Sequence, residues 1–105
     1  MDNNIEYLKD MYVDGYFPDY LVDKIRGILQ GVERFIAERN RSVEQIQEKL
    51  DEAIDAINDL EQEFDDNDSE IETVASESIG KTVEAILKRY DIPIDTEEAI
   101  RNRDW

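Results

Sequence analysis

Residues 42–66 read SVEQIQEKLDEAIDAINDLEQEFDD, and the apolar members of this segment recur at spacings of three and four residues without a gap. That periodicity is typical of an amphipathic helix with one stripe facing a core. Ser42 followed by Gln45 matches the capping-box pattern that starts a helix. We therefore predict one helix over about residues 43–66, roughly 36 Å long at 1.5 Å per residue. Its apolar stripe consists of Val43, Ile46, Leu50, Ala53, Ile57, Leu60 and Phe64.

The chain before this segment predicts two more helices. Asn3 is a candidate N-cap for a short first helix that stops near Gly15. Tyr16-Phe17-Pro18 separates it from the next helix, because the residue before a proline is pushed out of the α region and Pro18 suits a first turn. The second helix should end near Asn40. Its core-facing positions are Leu21, Val22, Ile25, Ile28, Leu29, Val32, Phe35 and Ile36.

Two further helices are predicted after the central segment. Ser69 with Glu72 repeats the capping-box pattern and opens a fourth helix, which Ile92-Pro93-Ile94 closes. Asp95 with Glu98 caps a last short turn. The inward positions of the fourth helix are Ile71, Val74, Ala75, Ile79, Val83, Ile86, Leu87 and Tyr90. The fold class is therefore all-α: a compact antiparallel helical bundle, with three long helices and a short helix at each end, formed by residues 1–105 as a single domain.

The composition excludes most catalytic and metal chemistry. The chain has no Cys and no His, which removes thiolate nucleophiles, imidazole bases, disulfides and the usual zinc ligands. No Asp or Glu lies on the apolar stripes of the long helices, where burial would raise the pKa of a carboxyl group towards neutrality. A calcium-loop spacing begins at Asp66, but Ile71 stands where that loop requires glycine. We expect no catalytic residue, no cofactor and no specific metal site.

The sequence shows no pattern for membrane insertion or export. No apolar run approaches the ~18 residues of a membrane helix. The start, Met1-Asp2-Asn3-Asn4, is acidic and polar, whereas a signal peptide is basic and then apolar. We expect a cytoplasmic protein that does not bind membranes.

The charge is large and unevenly placed. The chain has 28 acidic and 12 basic residues, a net charge of -16, so it should repel nucleic acid. Residues 44–72 hold thirteen acids and one cation, Lys49. Like charges four residues apart on a helix, such as Glu44 and Glu48, each cost about 0.2–0.5 kcal/mol. This face is either a solvated surface that keeps the protein soluble or a docking face for a basic partner.

We predict a non-enzymatic protein-binding or regulatory module that docks a basic protein through the acidic third helix. The partner-binding residues would be Glu44, Glu48, Asp51, Glu52, Asp55, Asp59, Glu63 and Asp66. The alternative is an anionic inhibitor, of the toxin-immunity or nucleic-acid-mimic type, that blocks a basic site with the same carboxylates. Thirteen carboxylates over residues 44–72 give one per ~3.3 Å of helix rise, close to the phosphate spacing of ~3.4 Å along a DNA strand.

Aromatic residues concentrate in the first twenty positions. They either pin the short first helix to the bundle or form an exposed patch that binds a partner or a second copy of the chain. A homo-oligomer formed through this segment is therefore one of the two predictions. The five are Tyr7, Tyr12, Tyr16, Phe17 and Tyr20. Two roles are also predicted for Trp105. It either docks onto the bundle and brings Arg101 and Arg103 towards the acidic surface, or it stays free as a recognition tag.

Four motifs give the chain a family resemblance: Met11-Tyr12-x-Asp14-x-Tyr16-Phe17-Pro18, Leu21-Val22-Asp23-Lys24, Ile57-Asn58-Asp59-Leu60 and Arg103-Asp104-Trp105. With them it resembles a family of small acidic bacterial proteins catalogued as a domain of unknown function. The resemblance covers nearly the whole length and implies a bacterial source but no mechanism. The polar motif residues make either a common site or structural contacts between helices; they are Asp14, Asp23, Lys24, Asn58, Asp59, Arg103 and Asp104.

Overall fold

The computed structural model describes residues 5–38 and 41–105 of the chain. Every regular element in these ranges is a helix, so the predicted all-α fold class is confirmed. The helices are α1 (Lys9–Val13), α2 (Asp19–Glu38), α3 (Val43–Asn58), α4 (Glu61–Asp66), α5 (Thr73–Arg89) and α6 (Thr96–Ala99). The long ones are α2, α3 and α5; α1 and α6 are short helices at the two ends, and α4 is a short helix between α3 and α5.

The long helices alternate in direction. Lys24, near the start of α2, binds Glu63 of α4 at 2.9 Å, whereas Phe35, near the end of α2, lies beside Lys49 in the first half of α3. The second helix therefore runs antiparallel to α3 and α4. The hydroxyl of Tyr90, just after α5, donates to Glu33 of α2 at 2.8 Å. This contact places the carboxyl ends of α2 and α5 at the same end of the bundle.

One hydrophobic cluster lies between the helices and includes residues of all six. Its largest fully buried side chains include Phe64, Leu8, Met11, Leu21, Ile25, Leu29, Leu50, Ile54, Ile57, Ile79 and Ile86. Val43 is an exception to the predicted stripe, because it opens α3 beyond the packed part of the bundle and is 45% exposed. Ile54 is fully buried, although the predicted stripe did not include it.

The prediction of one continuous helix over 43–66 is wrong at one turn. The α-helix ends at Asn58 and resumes at Glu61. Between them the Leu60 N–H donates to the Ile57 carbonyl, three residues back, at 3.0 Å, which tightens the turn. Asn58 and Asp59 are weak helix formers. The Asn58 side chain is also hydrogen-bonded to the backbone of Asn102 and Asp104, near the end of the chain. The apolar pattern passes through this turn because Phe64 remains buried.

Two of the helices begin where the sequence predicts. Both bonds of the capping box between Ser42 and Gln45 are present. The Asp95 side chain accepts from the Glu97 N–H at 3.1 Å and so caps α6. These two predicted starts are confirmed.

Two other predicted starts need correction. The cap of α5 is Glu72, which accepts from the Val74 N–H at 3.1 Å, whereas Ser69 is buried three residues before that cap. The first helix begins only at Lys9, because Leu8 has a left-handed backbone with φ 53° and a right-handed helix cannot run back through it. The predicted boundaries at Asn3 and Asn40 lie outside the described residues.

Candidate functional site

Five acidic residues occupy the outward side of α3 and its C-cap. At 100° per residue they fall within a sector of about 80°, roughly opposite the buried positions. All five are exposed. The first and last of them are fifteen positions apart, or about 22 Å of helix rise. We call this set the acidic stripe: Glu44, Glu48, Glu52, Asp55 and Asp59.

The acidic stripe is not neutralised from within the described part of the chain. No ion pair of residues 5–38 and 41–105 involves any of its five carboxylates. Lys49, the one cation on α3, leans towards α2, with its Nζ 5.8 Å from the centroid of the Phe35 ring. Asp55 accepts a hydrogen bond at 3.2 Å from the side-chain amide of Asn102, which carries no charge. The stripe therefore presents a run of negative charge to solvent.

Asp51, next to Glu52 in sequence, belongs to a different surface. Arg101 donates to its two carboxylate oxygens at 2.7 and 3.2 Å, and the Gln47 amide donates at 3.0 Å. Burial alone would raise the pKa of Asp51, but the hydrogen bonds from Arg101 and then Gln47 outweigh burial and lower it. Arg101 also binds Glu98 at 2.8 Å. Asp51 thus holds the end of the chain to α3.

Residues 100–105, which we call the C-terminal tail, continue along α3 from that contact. The Asn58 side-chain oxygen accepts a hydrogen bond from the Asp104 N–H at 3.1 Å, and the Asn58 side-chain NH2 donates one to the Asn102 carbonyl at 2.9 Å. Trp105 is half-buried and packs against the hydrophobic core. The tail therefore docks onto its own bundle. Of its two arginines only Arg101 contacts α3, where it binds Asp51, because Arg103 pairs with Glu97 of α6 at 3.3 Å.

The last two predicted partner-binding residues also lie apart from the acidic stripe. Glu63 faces α2 and accepts two hydrogen bonds from Lys24, at 2.9 and 3.1 Å. The bond from Lys24 and a further one from Tyr20 lower the pKa of Glu63. Asp66 ends α4 and accepts from the Gln62 amide at 3.0 Å. The structure therefore brings together five of the eight predicted carboxylates, and spacing along the chain did not reveal the partners of the other three.

Three of the five N-terminal aromatic residues take the first of the two predicted roles. Tyr7 and Tyr12 of the first segment donate hydrogen bonds to Glu33 and Asp23 of α2. Burial raises the pKa of Tyr7, and its hydrogen bond to Glu33 raises it further. Phe17 is buried. These three pin α1 to the bundle as predicted, while the remaining two tyrosines of the segment stay exposed.

The polar residues of the resemblance motifs mostly make structural contacts. Asp23 accepts from Tyr12, Lys24 binds Glu63, and Asn58 holds the C-terminal tail. Asp14 accepts from the Tyr16 N–H at 3.0 Å within the turn before α2. Each of these contacts joins or orders elements of the fold, so the interpretation as structural contacts applies to these four positions.

A groove of about 1010 Å³ runs between α1 and α5. Its two lining carboxylates, Glu6 and Asp10, each lie beside a lysine: Lys9 at 3.4 Å and Lys81 at 3.6 Å. Each carboxylate of the groove therefore has a lysine ammonium as a neighbour.

Neither 5–38 nor 41–105 contains a helix with the length and apolar character needed to cross a bilayer. The same residues hold no group of three or more potential ligands placed to bind a metal ion.

The comparison with known proteins identifies a family. A family model whose description is a family of unknown function covers residues 1–105. No curated protein and no solved structure matches the chain. The match confirms that the chain falls in a family of unknown function, and it brings no activity with it.

Proposed function

The chain belongs to the family of unknown function DUF5713, and from its geometry we propose that it is a non-enzymatic module that binds a basic protein partner through the acidic stripe. One observation carries the proposal. The fold supplies cations to the carboxylates at its helix contacts, namely Glu33, Asp51 and Glu63. It supplies none from the described residues to the five carboxylates of the stripe.

This arrangement lowers the stability of the isolated protein. Glu44 with Glu48, Glu48 with Glu52, and Asp55 with Asp59 are like-charge neighbours four residues apart. Three such pairs cost about 0.6–1.5 kcal/mol in total. A basic partner would turn this repulsion into attraction. The negative field would also speed association at low salt, and the gain would fall as salt rises.

The spacing of the stripe favours a basic protein segment. Five carboxylates over about 22 Å give one every 5–6 Å, close to the ~5.4 Å pitch of an α-helix. A partner helix with one lysine or arginine per turn would match it. The phosphates of a nucleic acid strand lie ~3.4 Å apart. The coarser spacing therefore weighs against the nucleic-acid-mimic form of the anionic-inhibitor alternative.

A pull-down with matched charge variants tests the proposal. The stripe variant combines Glu44→Gln, Glu48→Gln and Glu52→Gln. The control combines Glu77→Gln, Glu84→Gln and Asp91→Asn, exposed positions on and after α5. Both variants lose three negative charges, so net charge cannot explain a difference between them.

The immobilised proteins would be compared in cell lysate at about 50 and 500 mM salt. We expect a basic protein that wild type and control retain at low salt only, and that the stripe variant does not retain. Equal retention by all three proteins would contradict the proposal. If the captured protein is an enzyme or a toxin whose activity falls in the complex, the inhibitor alternative is the correct form.

A further inference from the structure

The C-terminal tail lies beside the acidic stripe as well as on Asp51. Arg101 donates to both oxygens of the Asp51 carboxylate, at 2.7 and 3.2 Å. Asp51 follows Glu48 by three residues and precedes Asp55 by four, and side chains at these spacings are neighbours on a helix surface. The Asn102 side chain donates to Asp55 itself at 3.2 Å. The tail therefore brings one positive charge to the edge of the stripe and occupies an oxygen of one of its carboxylates.

The tail is anchored at its first residue and exposed beyond it. Ile100 is buried in the hydrophobic core. After it, Arg101, Asn102 and Asp104 are exposed. Residues 101–105 can therefore leave α3 while Ile100 stays in the core.

The contacts that hold residues 101–105 are weak ones. The Arg101 side chain is 48% exposed in its pair with Asp51, and exposed ion pairs contribute little to stability. Trp105 is half-buried against the core, but its Nε1–H is buried without an acceptor among the described residues. Such a donor offsets part of the gain from burying the ring. A binding partner can therefore shift the equilibrium between the docked and the released tail.

We infer that the C-terminal tail is an autoinhibitory strap that weakens binding of the basic partner to the acidic stripe. The inference rests on the proposed function and adds a regulatory contact to it. While the tail is docked, Arg101 repels cations that approach the neighbouring carboxylates, and Asn102 competes with them for Asp55. When the tail leaves α3, Asp51 loses its counter-ion. The negative surface then holds the carboxylates of the stripe and that of Asp51.

This coupling acts in both directions. If the docked tail weakens partner binding, a bound partner must weaken docking of the tail by the same factor. Trp105 is the one tryptophan of the chain, so its fluorescence reports the position of the tail. Because the indole is half-buried in the docked tail, release exposes it to water and shifts its emission to the red.

Calorimetry at low salt measures the effect on binding, with a synthetic peptide that alternates lysine with alanine as the probe. Arg101→Gln removes the charge that the tail brings to α3. Lys88→Gln is the control, because it removes one positive charge from an exposed site on α5 and leaves the tail unchanged. An exposed ion pair changes an equilibrium constant by up to about fivefold. We therefore expect Arg101→Gln to bind the peptide roughly two- to fivefold more tightly than the control does.

Two further measurements separate release of the tail from loss of charge. Asn58→Ala changes no charge but removes the bonds from Asn58 to Asn102 and Asp104, so it should bind the peptide more tightly than wild type does. Titration of wild type with the peptide should shift Trp105 emission to the red. The peptide contains no aromatic residue, so that change belongs to the protein.

The possible outcomes separate the inference from the proposed function. The inference fails if Arg101→Gln binds no more tightly than Lys88→Gln, or if Trp105 emission is unchanged when wild type is saturated with peptide. It also fails if Asn58→Ala has red-shifted emission yet binds no more tightly than wild type. The proposed function survives these results, because the peptide still binds. Binding by the Arg101 variant alone supports the inference. If the peptide binds none of the four proteins, the proposed function fails together with the inference.

Discussion

Reversing one charge in the middle of the acidic stripe should stabilise the protein. Glu48 lies on the exposed face of α3, four residues from Glu44 on one side and from Glu52 on the other. Glu48→Lys replaces two like-charge pairs with two opposite-charge pairs. Glutamate and lysine have similar helix propensities, so the substitution changes the charge with little effect on the helical preference of the backbone.

The expected gain follows from these two pairs. Removing two repulsions of about 0.2–0.5 kcal/mol and forming two attractions of similar size gives about 1–2 kcal/mol. For a domain of this length a gain near 1 kcal/mol raises Tm by roughly 4–8 °C. At about 1 M salt, where the screening length is ~3 Å, most of the gain should disappear.

Urea denaturation followed by circular dichroism measures this gain, and Glu84→Lys provides the control. Glu84 lies on α5 with its carboxylate 3.8 Å from the Lys88 ammonium. Reversal at that position creates a repulsion, so the free energy of unfolding should fall. If Glu48→Lys is neutral or destabilising while the control behaves as expected, the charges of the stripe are already neutralised in solution. The premise of the proposed function would then be wrong.

Three further predictions concern the contacts that hold the ends of the chain. Because the pKa of Asp51 is lowered in the folded state, this carboxylate contributes stability above the ordinary carboxyl pKa of ~4 and loses it as the pH falls through the folded value. The urea midpoint of Asp51→Asn should therefore lie below that of wild type at pH 7 and converge with it in acid. Tyr7→Phe removes one hydrogen bond to Glu33 and should cost about 1 kcal/mol in a neutral-pH melt; since the pKa of Tyr7 is raised, this difference should shrink as the pH rises above about 10. Asn58→Ala removes the two bonds that Asn58 makes to the C-terminal tail, one of them to the residue before Trp105, so Trp105 fluorescence should shift to the red and become easier to quench with acrylamide; unchanged fluorescence would show that the other contacts of the tail suffice to hold Trp105.

The helices could be predicted from the sequence because their apolar spacing is decided locally. Capping residues such as Ser42 and Asp95 act on backbone N–H groups within three residues, so their effect is visible in a short window. The break after Asn58 was not visible in that way. It is a single tightened turn, and the apolar spacing continues through it to Phe64. The Asn58 contacts involve residues more than forty positions away.

The candidate site was harder to predict for the same physical reason. Asp51 and Glu52 are neighbours in sequence, but 100° of helix rotation separates them. Asp51 faces the C-terminal tail, and Glu52 faces solvent. The spacing of carboxylates along α3 cannot distinguish these environments, because Arg101 is fifty residues away. The tyrosines illustrate the same limit, since Tyr12 and Tyr16 differ in partner and exposure although both belong to one aromatic run.

The positions of the nearby cations determine how a partner can approach the acidic stripe. Arg101 lies along one flank of α3, bound to Asp51, and Lys49 leans over the other flank towards Phe35. Between them the negative surface is one helix face wide and about 22 Å long. A partner whose cations cross α3 would meet Arg101 or Lys49 and be repelled. A partner whose cations follow the helix axis would meet carboxylates only. The two flanking cations therefore favour a basic segment that lies along α3, with its far end near α4.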